Sequence, residues 1–426
     1  MSTKKDENIF NSNSLREVSE KTDLKKRLWL KGKKQNLDVY RIPIKYLYFN
    51  IQNGRYADKM IQLRADNKNV DIDPREEKWK KEILSMLRGT YKGSIQGTGT
   101  EKDQIDFERL HDDLKERGQI EPGVVLGDGG VIDGNRRLAA LKVLYQETTK
   151  NSEKYAYFEG VILPDDVSAE DRWRIEAGIQ LGRSQQLDYS PMNKLLKIYE
   201  GYNLFKDSAG KNAEDLIAET LYGVDKKEIE QSIKRISLID EYLEFFGLKG
   251  QYHLVSGKSE LFIEAQKNIE AATQKSEYSF EDRKKIKLAQ FIIIRGELMD
   301  NWDMREISQA ISGSKKKKTK PVKKAVDYLI KNTPNLDKFK EAIKEGKENN
   351  FIKEYHNIVH DFKEIKQNEE NSDKPLQLAQ EAKFKLQTLE NTLNTHKNIS
   401  KEPNKIINEL EESRKSAIRS IDILKK

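Results

Sequence analysis

The chain has 426 residues, 36% hydrophobic and 35% charged, which is longer than one core sustains and points to two to four helix-rich, well-solvated domains. Its 78 lysines and arginines nearly balance 71 acids, so the net charge of +7 selects no partner class. The absence of cysteine excludes disulfides, zinc-thiolate sites and thiol nucleophiles. No apolar run reaches the roughly 18 residues of a membrane span, and Met1–Asp6 lacks the apolar core of a signal peptide, so a cytoplasmic protein with no membrane partner is expected.

Residues 1–38 are polar and lysine-rich without a sustained apolar period, the pattern of a flexible tail with room for one short helix. From Val39 to Phe49 the segment VYRIPIKYLYF is rich in β-branched and aromatic residues and reads as a strand, followed by the turn-forming Asn53-Gly54. Residues 62–104 mix charges, glycines and threonines and read as an insertion with one helix over Glu77–Leu87. Phe107, Leu110 and Leu114 then recur at helical spacing, with Gly118 where a C-capping glycine belongs. Val124–Leu126, the turn Gly127–Gly130 and Val131-Ile132 form a hairpin pattern, and helical spacing resumes after Gly134 with Leu138, Leu141 and Leu144.

Residues 133–137 therefore lie where a strand turns into a helix. A helix N-terminus presents unpaired N–H groups and the positive end of the macrodipole, and Arg136-Arg137 adds two charge-assisted forks, so this point suits a phosphate. The alternative is an Asp133 cap with both arginines simply exposed on the first turn.

Further on, Ala213–Leu221 and Lys226–Leu238 read as two helices across the turn Tyr222–Asp225, a helix-turn-helix pattern. Lys226, Lys227, Gln231, Lys234 and Arg235 supply donors suited to DNA, while Glu228 and Glu230 on the same helix oppose a phosphate backbone. Residues 260–312 look helical, with Trp302, Met304, Ile307 and Ile311 at core-like spacing. Seven lysines between Lys315 and Lys324 mark a boundary at 313–325, equally a solvated linker or a nucleic-acid contact. In residues 326–426, Ala379, Ala382, Leu386, Leu389 and Leu393, then Ile407, Leu410, Arg414, Ala417, Ile421 and Leu424, form short heptad-like seams. They suit an antiparallel helical hairpin or a coiled coil that dimerises or docks a protein partner. His356 and His360 are four apart, but no third metal ligand accompanies them.

Over about residues 40–260 the chain resembles the ParB N-terminal domain, a member of the ParB/sulfiredoxin-like fold. Asn53-Gly54-Arg55 resembles the family's Asn-Pro-Arg element, and LKERGQIEP (114–122) resembles its helix followed by a Gly-x-x-x-Pro loop beside the base and ribose. DGNRRLA (133–139) resembles the Gly-Glu-Arg-Arg box that holds the triphosphate, with Asn135 at the place of the family's Glu. Ile179–Arg183 followed by Asp188–Pro191 partly matches the third box, with Gln180 near the family's metal-holding Asn.

The resemblance implies an α+β nucleotide-binding domain over 39–200, an all-α helix-turn-helix region over 201–312 and a helical C-terminal region. It implies a nucleoside triphosphate, CTP or ATP, with Mg2+, held by Arg55, Gly118, Gln119, Pro122, Gly134, Asn135, Arg136, Arg137, Gln180 and Arg183, with Gln180 also at the metal. It further implies a nucleoid-associated homodimer that engages DNA under nucleotide control, in DNA partition or in mobile-element or phage defence. Two other readings stay open. One is a ParB-fold nuclease, ATPase or kinase using Asp133, Glu121 or Glu176 as metal or base carboxylates. The other is an interaction scaffold with a degenerate nucleotide site.

Overall fold

A computed structural model describes residues 11–68, 70–91, 101–150, 152–181, 190–207, 212–221, 224–314, 319–395 and 403–424. The chain begins with α1 (Ser12–Glu17), β1 (Glu20–Leu30), β2 (Lys33–Pro43) and β3 (Tyr48–Phe49). Helices α2 (Ala57–Asp66), α3 (Glu77–Arg88) and α4 (Glu101–Arg117) follow. Next come β4 (Gly123–Val125), β5 (Gly130–Asp133), α5 (Asn135–Glu147) and β6 (Tyr157–Ile162). The strands form one mixed sheet in the order β1-β2-β6-β4-β5-β3, with β6-β4 and β5-β3 parallel and the remaining pairs antiparallel.

Both faces of the sheet are buried, and adjacent residues on a strand go to opposite sides, as the two-residue pleat requires. Val125, Val131 and Ile162 join one core with Leu15, Phe49 and Phe158, while their neighbours Val124, Ile132 and Val161 join a second with Leu28, Leu30 and Val39. The first core is covered by α2–α5 through Met60, Leu63, Trp79, Ile83, Leu114, Leu138 and Leu141. The second receives Ile175 and Ile179 of α6 (Ala169–Gln180).

Two expectations about the N-terminal half do not hold. Residues 20–38 are not a tail, because β1 and β2 pair across a two-residue turn at Lys31 (φ 51°) and Gly32 (φ 73°), the left-handed pair that matches strand twist. β1 is an edge strand of mostly exposed, charged residues, while Leu28 and Leu30 enter the core, so its low average hydrophobicity hides it. Nor is 62–104 an insertion over its described part, since Trp79, Ile83, Met86 and Leu87 belong to the sheet's own core. The helix expected over Glu77–Leu87 is present, as are the 124–132 hairpin, the Gly118 cap at φ 74° and the helix after Gly134.

Helices α7 (Pro191–Phe205), α8 (Ala213–Thr220) and α9 (Lys226–Phe245) pack with α6 around Trp173, Ile198, Phe205, Ile217 and Ile229. Ser190 caps α7 and Pro191 occupies its first turn, where a missing N–H costs nothing. Then follow α10 (Ser259–Thr273), α11 (Phe280–Gly296), α12 (Asn301–Ser312), α13 (Lys323–Asn332), α14 (Leu336–Lys344), α15 (Glu348–Thr395) and α16 (Pro403–Leu424). The described residues divide into two compact units, one running to Ser308 with Leu329–Val359, the other Gln309–Tyr328 with the chain from His360 onward. In the first, Tyr242 meets Phe262 and Phe291 edge-on at ring separations of 5.2 and 5.4 Å. Trp302 was expected in the core, but it is exposed beneath the Arg305 guanidinium, while Met304 and Ile307 are buried. In the second unit, Leu386, Leu393, Ile407 and Ile421 of the heptad-like seams are exposed.

Candidate functional site

The N-terminus of α5 is left uncapped by any side chain. Gly134 precedes it at φ 99°, and the first backbone bond of the helix runs from the Leu138 N–H to the Gly134 carbonyl. The N–H groups of Asn135, Arg136 and Arg137 thus stand at the positive end of the helix without intrahelical acceptors. Asp133 is not the cap, because it ends β5 and its Oδ2 accepts from Arg137 Nη2 at 3.0 Å, with Lys26 Nζ at 3.7 Å. A β-carbon at Gly134 would lie 2.8 Å from the Phe158 ring, so both backbone angle and space call for glycine here.

The three residues after Gly134 have different tasks. Asn135 is buried, donates through Nδ2 to the Val131 carbonyl at 2.7 Å and accepts the Asn50 N–H at 3.0 Å, tying β5 to the chain end of β3. Its carboxamide is therefore structural. Arg137 is held by Asp133 and by the Glu121 carbonyl. Arg136 donates through Nη2 to the Asp103 carbonyl at 3.0 Å, but its buried Nε has no partner. Burial and then the nearby Arg55 cation pull the Arg136 guanidinium down to about 10. A charge in that setting is stabilised by an incoming anion.

Arg55 arrives from a distant part of the chain. Its turn, Gly54–Tyr56, is fixed by Asn53 Oδ1 accepting the Arg55 N–H at 3.0 Å, by Asn193 Nδ2 donating to the Arg55 carbonyl at 2.8 Å, and by Glu176 accepting the Gly54 N–H at 2.8 Å. The loop after α4 is fixed by Gln119, whose Oε1 accepts the Glu159 N–H at 2.9 Å and whose Nε2 donates to the Glu159 carbonyl at 2.6 Å. Gln119 thereby extends the sheet at β6 with a side chain.

The result is one cavity of about 430 Å3 to which Arg55, Gly118, Glu121, Asp133, Gly134, Asn135, Arg136, Arg137 and Gln180 all contribute. Leu87, Leu110, Leu114 and Ile120 supply an apolar wall, with Asp106 and Asp113 beside it. Gln119 and Pro122 shape the loop without lining the cavity, and the Pro122 carbonyl accepts from Lys26. Glu176 is not in the cavity either, being buried against Lys197, so the structure gives it a positioning part and not that of a base. Arg183 lies outside the described residues. Sequence reasoning missed Lys26, Asp106 and Asp113; the signal for Lys26 was the alternation Lys26, Leu28, Leu30 on one strand face.

The donors expected to meet DNA are mostly engaged within the protein. Lys226 pairs with Asp215 at 2.9 Å and Lys234 with Glu270 at 3.6 Å, while Gln231 accepts from Gln266 at 2.6 Å. Arg235 is part-buried and Lys227 is exposed. Among the described residues, the only group of three ligating side chains close enough to share a metal ion is His360, Asp361 and Glu364, none of which lines the cavity. No described helix is long and apolar enough to cross a membrane. No protein-family model, curated protein or solved structure matches the chain.

Proposed function

We propose that this chain is a ParB-like nucleotide-binding protein whose cavity at the start of α5 takes the phosphates of a nucleoside triphosphate. The observation that carries the reading is convergence: three uncapped N–H groups, the partnerless Nε of Arg136 and the Arg55 cation meet in one cavity of about 430 Å3. The apolar wall of Leu110, Leu114 and Ile120 suits the flat face of a base. Magnesium would arrive with the phosphates and keep most of its waters, and Gln180, which lines the cavity, is the side chain that would hold it.

The same geometry argues for binding over rapid hydrolysis. Asn135 stands where the family has Glu and commits its carboxamide to backbone groups, and Asp133 is occupied by Arg137 and Lys26. DNA engagement through the α8–α9 pair has weaker support, because three of its five candidate donors already bind side chains of this chain.

Calorimetric titration with ATP, CTP, GTP and UTP in the presence of magnesium tests the proposal. At least one triphosphate is expected to bind saturably, and Arg136→Ala to weaken it by about tenfold to a hundredfold, the worth of a charge-assisted contact. Failure of all four to bind, or binding unaffected by Arg136→Ala combined with Arg137→Ala, overturns it.

A further inference from the structure

A second cavity, of about 500 Å3, opens beside the other end of α5, seven residues and about 10 Å along the helix from the phosphate cradle. Four lysines line it, Lys45, Lys80, Lys81 and Lys142, against two acids, Glu77 and Glu153. Glu77 lies 3.6 Å from Lys80, which leaves the other cations without a carboxylate at salt-bridge distance among the described residues. Lys142 is the deepest of them. Its Nζ donates to the Ile44 carbonyl at 2.9 Å and lies 5.9 Å from the centre of the Phe49 ring.

An ammonium withdrawn from water without a counter-ion is destabilised, and burial followed by the nearby Lys80 charge brings the Lys142 amine down to about 8. One carbonyl satisfies one of its three donors. Apart from Gln146, the remaining walls are apolar or aromatic, through Leu47, Phe49, Leu84 and Tyr145 among others. A cavity that pairs a half-buried amine lacking a carboxylate partner with a cationic rim and a flat apolar wall has the complement of an oxyanion on an apolar body.

We infer that this cavity is a second ligand site, which binds a small organic anion, a carboxylate or phosphate monoester with an apolar or aromatic body, with its oxyanion on Lys142 and its charge matched by Lys80 and Lys81. The site is separate from the nucleotide cavity and does not depend on the reading of that cavity.

Pyridoxal 5′-phosphate followed by borohydride tests it on the intact wild-type chain. The unprotonated amine adds to the aldehyde carbon and water leaves to give an imine. Borohydride then delivers hydride to the imine carbon, water protonates the nitrogen, and peptide mapping locates the label. At pH 8, Lys142 is expected to react at least tenfold faster than the exposed lysines, with phenyl phosphate or benzoate slowing it and phenol leaving it unchanged. Protection by phenyl phosphate alone identifies a phosphate ester, and by benzoate alone a carboxylate. Lys80→Ala combined with Lys81→Ala, one partly and the other fully exposed on α3, is expected to weaken protection by about fivefold. Labelling of Lys142 no faster than that of exposed lysines, protection by neither anion, or equal protection by phenol overturns the inference.

Discussion

Lys197 donates to Glu176 across 2.8 Å with both side chains buried, and the second oxygen of Glu176 takes the Gly54 N–H at 2.8 Å. One ion pair inside the helical layer thus fixes the turn that delivers Arg55 to the cavity. Removing one partner strands a charge away from water. Lys197→Met is expected to cost about 3–5 kcal/mol, and Glu176→Leu in the same chain to recover part of it, the Gly54 N–H being left without its acceptor, in urea unfolding. A single-variant loss below about 1 kcal/mol would show that the pair carries no structural burden.

Asn135 works as a staple between β5 and the segment after β3. Asn135→Asp removes the donor to the Val131 carbonyl and sets a carboxylate against it, so a loss of about 2–3 kcal/mol is expected in thermal unfolding, without a gain in triphosphate hydrolysis. Hydrolysis that rises in this variant would return a catalytic part to the position.

Leu30 and Trp29 are neighbours on β1 with opposite fates, one 1% and the other 50% exposed. Leu30→Ala should cost about 2–5 kcal/mol and Trp29→Ala less than about 1 kcal/mol, measured by denaturant unfolding. Equal, negligible effects would place the segment outside the folded core.

Lys142 gives a pH signature. Its amine sits at about 8 in the fold against an ordinary 10.5, lowered first by burial and then by Lys80, with Glu77 acting in the opposite direction. The charged form therefore costs stability in full below pH 8. The cost is relieved as pH rises from 8 to 10.5, where the unfolded chain still holds the proton. Lys142→Met should be more stable than wild type by about 2 kcal/mol at pH 7, with the gap closing near pH 10. Groups common to both proteins cancel in that difference. A gap that widens with pH would contradict the burial of the amine.

The amino-acid sequence alone determined the local frame of the site. The 124–132 hairpin, the glycine cap at 118 and the helix after Gly134 are set by residue period and by glycines at positive φ, and these act over a few residues. The same local rules failed at β1, where Lys31 takes a left-handed turn position that a sequence reader reserves for Asn or Gly, and where edge lysines mask an alternating strand.

Tertiary structure decided the rest, because the partners are far apart in the chain. Gly54 meets Glu176 across 122 residues and Arg55 meets Asn193 across 138. That distance turned Glu176 from a candidate base into a support, and the 85 residues between Asn50 and Asn135 made the Asn135 carboxamide a staple while its N–H stays at the cradle. It also left Arg136 Nε buried with no partner, a property of packing that no spacing of residues expresses.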